Sequence, residues 1–406
     1  MALIGSNIFI GNNDEQIFIG TDRYDTTTEP TFVGIITASD GAGGDLFGSS
    51  VAVGNNRIVV GAPYKDNPTD REGEVYIYDF DENLVGVITA SDAAQIDLFG
   101  WSVSVGSGRI VVGAYLNDDN GDGSGSAYIY DLNGNEVGII TASDGASEDY
   151  FGWSVAVGFG RIVVGAFGND IGSNNNQGSA YIFDLDGNEV GIITASDGGF
   201  NDWFGYSVAV GSGRIVVGSI LNDEVASDAG KVYIYDLNGN EVGIITASDG
   251  GLNDRFGKSV AVGSGRIVVG NNVEQVYVYD LDGNEIKILT GDNPSQNDFY
   301  GKVDIAESGT PIAVGNGRIF VGASRDDEVA SDAGKVYVYD LDGNEVGIIT
   351  ASDGAADDKF GSAIGVENGK IVAGAPLKDD NGISNRGGIY IYDTPKSYHI
   401  LDTFDR

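Results

Sequence analysis

The chain has 406 residues, of which 22 are basic and 61 acidic, so its formal net charge is −39. This charge excludes nucleic acid as a partner, because nucleic acid is bound mainly through clusters of Lys and Arg. The absence of cysteine excludes disulfides and thiolate metal sites. No run of 18 apolar residues occurs, so we predict no membrane insertion.

The N-terminal segment has the pattern of a repeat unit and not that of a signal peptide. Its first positive side chain is Arg23, so no basic region precedes its apolar residues. The stretch ALIGSNIFIGNNDEQIFIGTD resembles residues 261–280, and FVGIITASD follows it as a further strand. We therefore predict that residues 1–39 form a repeat unit that begins part-way through its first strand.

An aromatic residue followed by glycine recurs through the rest of the chain, at Phe47-Gly48, Phe99-Gly100, Phe151-Gly152, Phe204-Gly205, Phe256-Gly257, Tyr300-Gly301 and Phe360-Gly361. Spacings of roughly fifty residues are typical of propeller blades or solenoid units. The predicted units are residues 1–39, 40–91, 92–143, 144–196, 197–248, 249–291, 292–352 and 353–406.

Each unit contains four short segments with strand character, as residues 151–193 illustrate. FGWSVAVG alternates, RIVVGAF is a nearly continuous apolar run, GSAYIFD alternates aromatic with aliphatic residues, and EVGIITAS follows a DGN turn. These runs are rich in β-branched and aromatic residues and are bounded by Gly, Asn or Asp, as strands and hairpins are. No stretch keeps a period of 3.6, so we predict essentially no helix.

Four antiparallel strands per unit predict an all-β fold, a single β-propeller domain over residues 1–406. Eight units favour eight blades. The alternative is seven blades with a spare N-terminal hairpin. In either case, ring closure would place the last strand, near residues 398–401, beside the N-terminal unit.

The Phe-Gly pairs, together with Gly-Ala-Pro at 61–63 and 374–376, resemble the FG-GAP repeat family, known from the propellers of integrin α-subunits. The match is nearest to bacterial-type repeats. This resemblance implies a propeller used for adhesion or ligand binding, usually outside the cell. Integrin-type units bind calcium through a DxDxDG hairpin between strands one and two. Here that hairpin is GNN, GSG, GFG or NG, so calcium is not expected at the family position.

Several repeated residues are interpreted as scaffold. The Phe rings are expected to pack between blades, where burial of each contributes roughly 1.5–3 kcal/mol. Arg opens strand two and Asp closes strand three, as in Arg57 and Asp79, which predicts cross-strand ion pairs within each blade. The only histidine, His399, is expected to be a surface or packing residue.

Paired aspartates precede each aromatic–glycine pair. They are Asp40/Asp45, Asp92/Asp97, Asp144/Asp149, Asp197/Asp202, Asp249/Asp254, Asp292/Asp298 and Asp353/Asp358. Aspartate in a tight connection commonly accepts backbone N–H bonds, which is the favoured interpretation. The alternative is a hard-cation site of carboxylates and turn carbonyls, a ligand set that suits Ca²⁺.

The loop between strands two and three is the most variable part of the repeat, and variable loops on a fixed scaffold are where binding usually resides. We predict ligand contacts at Asp66, Asp70, Asp118, Asp119, Asn120, Asp122, Asn169, Asp170, Asp223, Glu224, Asp326, Asp327, Asp379 and Asp380. The DxNxDG sequence formed by Asp118, Asn120 and Asp122 is a candidate Ca²⁺ loop, although Ile129 stands where an EF-hand has its acidic twelfth residue. No cofactor is expected to be required.

These features favour a non-catalytic module, an adhesin or a structural component of an extracellular or virion assembly, that presents acidic rim loops to a protein or glycan. Membership of a larger assembly or homo-oligomer is part of this hypothesis, as is an extracellular or virion location without a recognisable signal peptide. The rival is a carboxylate-based hydrolase or lyase. It is disfavoured because the Asp pairs recur in every unit, whereas an active site should break the symmetry.

Overall fold

The computed structural model describes residues 8–13, 16–24, 30–66, 71–291, 311–394 and 396–405, with side chains described only from residue 30 to residue 394. These residues form strands and turns, and no helix. In the described part of the chain nothing helical is long and apolar enough to cross a membrane.

The first three strands are β1 (Ile8–Asn13), β2 (Gln16–Tyr24) and β3 (Thr31–Ile36). β1 and β2 pair with each other as an antiparallel hairpin. β3 separates from them and pairs elsewhere, with a strand near the opposite end of the described chain.

Six four-stranded antiparallel blades follow along the chain, and each takes four consecutive strands in the order innermost to outermost. Blade 1 consists of β4 (Ser50–Gly54), β5 (Arg57–Ala62), β6 (Glu74–Asp79) and β7 (Leu84–Ile88), and blade 2 consists of β8 (Ser102–Gly106), β9 (Arg109–Ala114), β10 (Ser126–Tyr130) and β11 (Glu136–Ile140). Blade 3 consists of β12 (Ser154–Gly158), β13 (Arg161–Ala166), β14 (Ser179–Phe183) and β15 (Glu189–Ile193), and blade 4 consists of β16 (Phe204–Gly211), β17 (Arg214–Ser219), β18 (Lys231–Tyr235) and β19 (Glu241–Ile245). Blade 5 consists of β20 (Ser259–Gly263), β21 (Arg266–Gly270), β22 (Gln275–Tyr279) and β23 (Glu285–Thr290), and blade 6 consists of β24 (Ile312–Gly315), β25 (Arg318–Ala323), β26 (Lys335–Asp340) and β27 (Glu345–Thr350).

Blade 7 is completed by a strand from the N-terminal region. Its first three strands are β28 (Ile364–Glu367), β29 (Lys370–Ala375) and β30 (Gly388–Asp393), and β3 is its outermost strand. The register pairs Ile36 with Ile389. Each innermost strand contacts the innermost strand of the next blade, and β28 contacts β4, so the seven blades form a closed ring.

The predicted all-β propeller is confirmed, and its blades number seven, the alternative kept open by the sequence, rather than eight. The last strand, β31 (Lys396–Asp405), pairs with β2 and not with blade 7. The expected eighth unit is therefore divided. Its hairpin forms a three-stranded sheet with β31, while its fourth strand fills the outer edge that β28 to β30 leave open. The number of blades is seven because β3 pairs with the backbone groups that would otherwise be unpaired along the edge of β30.

The core consists of layers between adjacent blades. Phe99 is fully buried among side chains of blades 1 and 2, such as Ile77 and Tyr128. Its ring centroid lies 5.2 Å from that of Tyr128 in an edge-to-face arrangement, which stabilises aromatic pairs. The following Gly100 has a φ of +89°, and a Cβ added at Gly61 would lie 2.2 Å from the Gly100 carbonyl oxygen, so both positions require glycine. The predicted packing role of the Phe-Gly pair is confirmed.

The antiparallel strands divide the connections between two faces of the ring. One face, called the loop face here, carries the loops between the second and third strands and the connections from each outermost strand to the next blade. These two kinds of segment contact each other. For example, Phe99 N–H donates to the Glu72 carbonyl and Phe151 N–H to that of Ser124. The other face, the turn face, carries the short hairpin turns.

Candidate functional site on the loop face

In the six pairs that the structure describes, the first aspartate accepts a hydrogen bond from a tyrosine hydroxyl on the third strand of the following blade. Tyr128 donates to Asp92 at 2.7 Å and Tyr390 donates to Asp353 at 2.6 Å. Equivalent bonds join Tyr76 to Asp40, Tyr181 to Asp144, Tyr233 to Asp197 and Tyr277 to Asp249. This contact explains why aromatic residues recur on the third strand.

The second aspartate closes the turn in which it lies. Asp97 accepts the N–H of Ala94 at 2.9 Å, and Asp45, Asp149, Asp202, Asp254 and Asp358 each accept the N–H three residues before them. The backbone-capping interpretation is therefore confirmed for the second aspartate in these six blades, whereas the first aspartate accepts a side-chain hydroxyl. The pair Asp292/Asp298 lies outside the described residues.

In four blades a lysine ammonium contacts carboxylates on the loop face. Lys378 lies 2.8 Å from Asp353 and Lys65 lies 3.2 Å from Asp45. In blades 4 and 6 the lysine comes from the start of the third strand instead. Lys231 pairs with Asp197 and Glu224, and Lys335 with Asp326 and Glu328.

Blades 2 and 3 have an asparagine where blades 1 and 7 have this lysine. Asn117 and Lys378 make the same turn, since the N–H of each donates at 3.1 Å to the carbonyl of an alanine three residues earlier. The Asn117 amide is 3.4 Å from Asp97. Burial, reinforced by the nearby carboxylates of Asp118 and Asp92, raises the pKa of Asp97 to about 6. In blade 7 burial opposes ionisation of Asp353, but Lys378 and Tyr390 outweigh it and hold the pKa of that carboxyl below its usual value.

Most of the predicted ligand residues lie on exposed positions of the loop face. Asn169 and Asp326 are buried, Asp380 is half-buried and paired with Arg386, and Asp70 lies outside the described residues. The remaining ten are exposed: Asp66, Asp118, Asp119, Asn120, Asp122, Asp170, Asp223, Glu224, Asp327 and Asp379. The structure distributes them over six blades and does not gather them into one pocket.

One carboxylate in each of these loops holds its own loop closed. Asp118 accepts the N–H of Gly123 at 2.8 Å, and Asp66, Asp170, Asp223, Asp327 and Asp379 make equivalent bonds five or six residues ahead. In the described ranges no group of three or more His, Cys, Asp or Glu side chains is arranged to hold a metal. The Ca²⁺ loop of Asp118, Asn120 and Asp122 stays a prediction.

The predicted ion pairs between Arg and Asp of the same blade need correction. The register is as expected, with Arg57 opposite Asp79. However, Arg57 Nε donates to the Leu132 carbonyl of the next blade at 2.7 Å, while Asp79 accepts N–H bonds from its own turn, including that of Asn83 at 2.8 Å. The guanidinium is long enough to reach across to the next blade. Lys370 and Asp393, at 2.9 Å, do form the expected pair.

An aromatic surface, which the sequence reasoning missed, covers the loop face of blades 2 to 4. We call it the aromatic patch, and it consists of Trp101, Tyr115, Tyr150, Trp153, Phe167, Trp203 and Tyr206. Centroid distances between neighbouring rings are 4.7 Å for Trp101–Tyr115, 5.0 Å for Trp101–Trp153, 4.9 Å for Trp153–Phe167 and 5.4 Å for Trp153–Tyr206. All three tryptophans of the chain belong to it.

Equivalent backbone positions in successive blades build this patch. Trp101, Trp153 and Tyr206 each follow a Phe-Gly pair, and the N–H of each donates to the carbonyl of the residue before that pair. Tyr150 and Trp203 occupy that preceding position with φ values of +58° and +57°. Such conformations are unfavourable for bulky residues, but the same position has a positive φ in other blades too, as at Leu98 and Arg255, so the repeat backbone imposes them.

The patch opens onto a cavity along the propeller axis. This cavity has a volume of about 290 Å³ and is lined by the innermost strands of all seven blades. Trp101, Trp153 and Tyr206 stand in its wall on the loop-face side, together with Lys258 of blade 5. Tyr150 joins the patch to a predicted ligand loop, because its ring is 3.2 Å from a Cβ added at Gly123. Burial raises the pKa of Tyr150, and the nearby Glu148 and Asp122 carboxylates add to the effect.

The sequence did contain a signal for the patch. The residue after Phe-Gly is Ser49, Trp101, Trp153, Tyr206, Lys258 and Ser362 in blades 1 to 5 and 7, so aromatic residues depart from the repeat in three consecutive units. A periodic scaffold position does not change character in this way unless its surroundings differ. The ring then places those three units side by side.

Comparison with known proteins finds similar solved structures and a matching family model. Among solved structures the chain is similar to BamB from Moraxella catarrhalis, at 11% identity over 97% of both chains with a TM-score of 0.47. It is also similar to the computationally designed Ika8 protein, at 12% identity over 90% of this chain and 100% of that one, with a TM-score of 0.50. No curated protein sequence matches it.

A sequence model of the FG-GAP repeat matches residues 30–78, 83–130, 135–183, 188–235, 240–279 and 344–392. Each match starts at an outermost strand and continues through the first three strands of the next blade. The repeat in sequence is thus offset by one strand from the blade, which is why β3 is available to complete blade 7. Because these matches cover well over half of its length, the chain belongs to the FG-GAP repeat family.

Proposed function

We propose that the protein is a non-catalytic binding module that holds a glycan on its loop face, with the aromatic patch as the centre of the site. The observation that carries this proposal is the concentration of all three tryptophans in one aromatic patch, with Trp101 and Trp153 in the wall of the axial cavity. Ligand sites are commonly concave and aromatic with a few polar groups at fixed positions. The repeated aspartates, by contrast, are engaged in bonds within the scaffold.

The chemistry of the patch suits a sugar ring. A pyranose has a face of C–H groups that packs on an aromatic ring, and Trp and Tyr combine an apolar body with a polar edge. Trp153 is only partly buried although four other rings surround it. Amide groups for sugar hydroxyls lie beside the patch, since Asn201 accepts a bond from the Trp203 indole at 3.1 Å and contacts the Asn176 amide at 3.4 Å.

Adhesion at an extracellular or virion surface, in a larger assembly or a homo-oligomer, is the context that we propose for this binding. It is supported by the family and by the net charge of −39, which keeps a repetitive β-protein from non-specific association. Immunolabelling of intact cells or particles tests the location. Labelling that requires permeabilisation would contradict it.

The binding itself is testable through the intrinsic fluorescence of the protein, because every tryptophan lies in the proposed site. A glycan array should identify binders, and their titration should shift tryptophan emission saturably. Replacement Trp153→Ala should weaken binding by at least about tenfold, the loss of roughly 1.4 kcal/mol of contact energy. Trp153→Phe, which retains a ring, should weaken it less.

The matched control is Phe159→Ala. Phe159 is 59% exposed and lies in the hairpin turn between β12 and β13, on the turn face of the same blade. It should leave binding unchanged. Circular dichroism of both variants checks that the fold persists. An array without any bound glycan, or a folded Trp153→Ala protein that binds like the wild type, would overturn the proposal.

A further inference from the structure

Aromatic residues and basic residues occupy neighbouring blades at the mouth of the cavity. In blade 5 the two positions that hold aromatic residues in blades 3 and 4 hold Arg255 and Lys258. Their backbone is the same, because Lys258 N–H donates to the Arg255 carbonyl at 3.2 Å, as Tyr206 N–H does to that of Trp203 at 3.3 Å, and Arg255 has a φ of +50°. The difference between the sectors therefore lies only in the side chains.

Both basic side chains lie beside the aromatic patch. Lys258 is 4% exposed, lines the axial cavity together with Trp153 and Tyr206, and its Nζ donates to Asn272 Oδ1 at 3.3 Å. Burial raises the pKa of Tyr206 to about 12, and the positive charge of Arg255 opposes this rise. Arg255 Nε is buried and has no hydrogen-bond partner among the described residues.

We infer that the bound glycan is acidic, and that a carboxylated pyranose places its ring on Trp153 and Tyr206 and its carboxylate at Arg255 and Lys258. This inference rests on the proposed function and specifies its ligand class. A guanidinium presents a planar fork of donors that matches a carboxylate, and an ammonium adds a point charge.

The charge distribution supplies a reason for a single orientation. The chain carries 22 basic and 61 acidic residues, and of the basic ones Lys258 lines the cavity while Arg255 occupies the backbone position that Trp203 has in blade 4. The exposed loop carboxylates, such as Asp118 and Asp223, lie between the second and third strands and hence further from the axis. These carboxylates would repel the carboxylate of a ligand from the outer loops, so that it binds at Arg255 and Lys258 instead.

The test compares oligogalacturonides and oligoglucuronides with their methyl esters, which retain the rings but lose the charge. Titrations followed by tryptophan fluorescence should show the free acid of at least one series binding about tenfold or more tighter than its ester, because hydrogen bonds to charged groups are the strong ones. Added salt should reduce this difference.

Replacement Lys258→Gln, and independently Arg255→Gln, should remove most of the preference for the acid while leaving the affinity for the ester unchanged. Two variants are used because the buried Lys258 also contributes to packing. The control is Lys370→Gln, which removes one positive charge at the start of β29 on the turn face and should preserve the preference.

The outcomes separate the two proposals. Equal binding of acid and ester, binding of neutral glycans alone, or a preference that survives in both folded variants overturns the acidic ligand and leaves glycan binding intact. If no glycan binds at all, the proposed function itself fails. Trp153→Ala should weaken the acid and the ester alike, since it removes the ring platform and no charge.

Discussion

Blade 2 and blade 7 have the same backbone around the acid pair and differ in one side chain that faces it. Lys378 neutralises the pair in blade 7, whereas Asn117 leaves the pair of blade 2 without a cation among its described contacts. Burial raises the pKa of the second aspartate in both blades, to about 6 for Asp97, and also for Asp358 although Lys378 acts to lower it. The first aspartate of blade 7, Asp353, has its pKa lowered by Lys378 and Tyr390. The comparison teaches that the repeat fixes the hydrogen bonds and the burial of the second aspartate, while a single position decides whether a cation contacts the pair in these two blades.

The largest effect should follow from removal of a buried lysine. Lys335 is 2% exposed, and its Nζ lies 2.9 Å from Asp326, which is itself 5% exposed. Lys335→Met leaves this buried carboxylate without its ammonium, and we expect a loss of about 3–5 kcal/mol in the free energy of unfolding. Urea denaturation measures it. The double variant Lys335→Met/Asp326→Asn should recover much of the loss, and no recovery would contradict the charge argument.

Neutralising the lysine-paired first aspartate of blade 7 and the buried second aspartate of blade 2 should have opposite effects. Asp353→Asn keeps an acceptor for Tyr390 but loses the attraction to Lys378, so we expect about 1 kcal/mol of destabilisation, modest because that side chain is half exposed. Asp97→Asn removes a buried charge and should stabilise the protein by about 1–2 kcal/mol at pH 7. Midpoints of urea denaturation measure both effects. A change of the same sign in Asp353→Asn and Asp97→Asn would contradict the opposite pKa shifts of the two carboxyls.

The pH dependence of these differences follows from the direction of each shift. The folded state binds the Asp97 proton more tightly than the unfolded chain does, so lowering the pH from about 6 to 4 should stabilise the wild type and close its gap to Asp97→Asn. The contribution of Asp353 should persist down to about pH 4 and be lost below it, where this carboxylate gains its proton. Midpoints of urea denaturation measured between pH 7 and pH 3 test both of these pH ranges.

Converting blade 2 into the type of blade 7 should sharpen the comparison. Asn117→Lys places an ammonium at the pair Asp92/Asp97, where the equivalent Lys378 contacts Asp353 and acts to lower the pKa of Asp358. We expect about 1 kcal/mol of stabilisation at pH 7 and a lower Asp97 pKa in an NMR titration. The control is Asn120→Lys, which adds the same charge to the same loop at an exposed position. If both variants stabilise equally, the effect comes from the net charge and not from the pocket.

The smallest effect is expected on the turn face. Arg109 Nε donates to the Leu185 carbonyl at 2.9 Å, and its guanidinium lies 3.2 Å from Asp186, whose side chain is 77% exposed. Arg109→Gln should cost roughly 0.5–1 kcal/mol because an exposed pair is well screened. A loss as large as that for Lys335→Met would show that these bridges between blades hold the ring together.

Much of the fold was predictable because its signals are local. Alternation and turn residues in GSAYIFDLDGN define β14 and its turn, and the Phe-Gly spacing gives the period. The number of blades was not fixed in this way. Whether β3 pairs with its own hairpin or with β30 depends on which sheet edge is unpaired when the ring closes. The residues next to β3 in the sequence give no information about that edge.

The candidate site was predictable only in part. The variable loops lie on the face that the antiparallel connections require, and Asp122 lies beside the patch. However, the meeting of Trp101, Trp153 and Tyr206 depends on the ring bringing three units together. The partner of Arg57 was also missed, since sequence specifies the opposite residue on a strand and not how far a long side chain reaches.

The closure of blade 7 by β3 has a consequence for biosynthesis. Thr31 pairs with Asp393, so the strand that completes the ring is made near the beginning of translation and its partner near the end. At about 5–20 residues per second, β3 waits on the order of tens of seconds with its backbone groups unpaired. Until then the nascent chain is an open arc of blades with an unpaired edge at one end. Factors that shield such an edge during synthesis should therefore raise the yield of the closed ring.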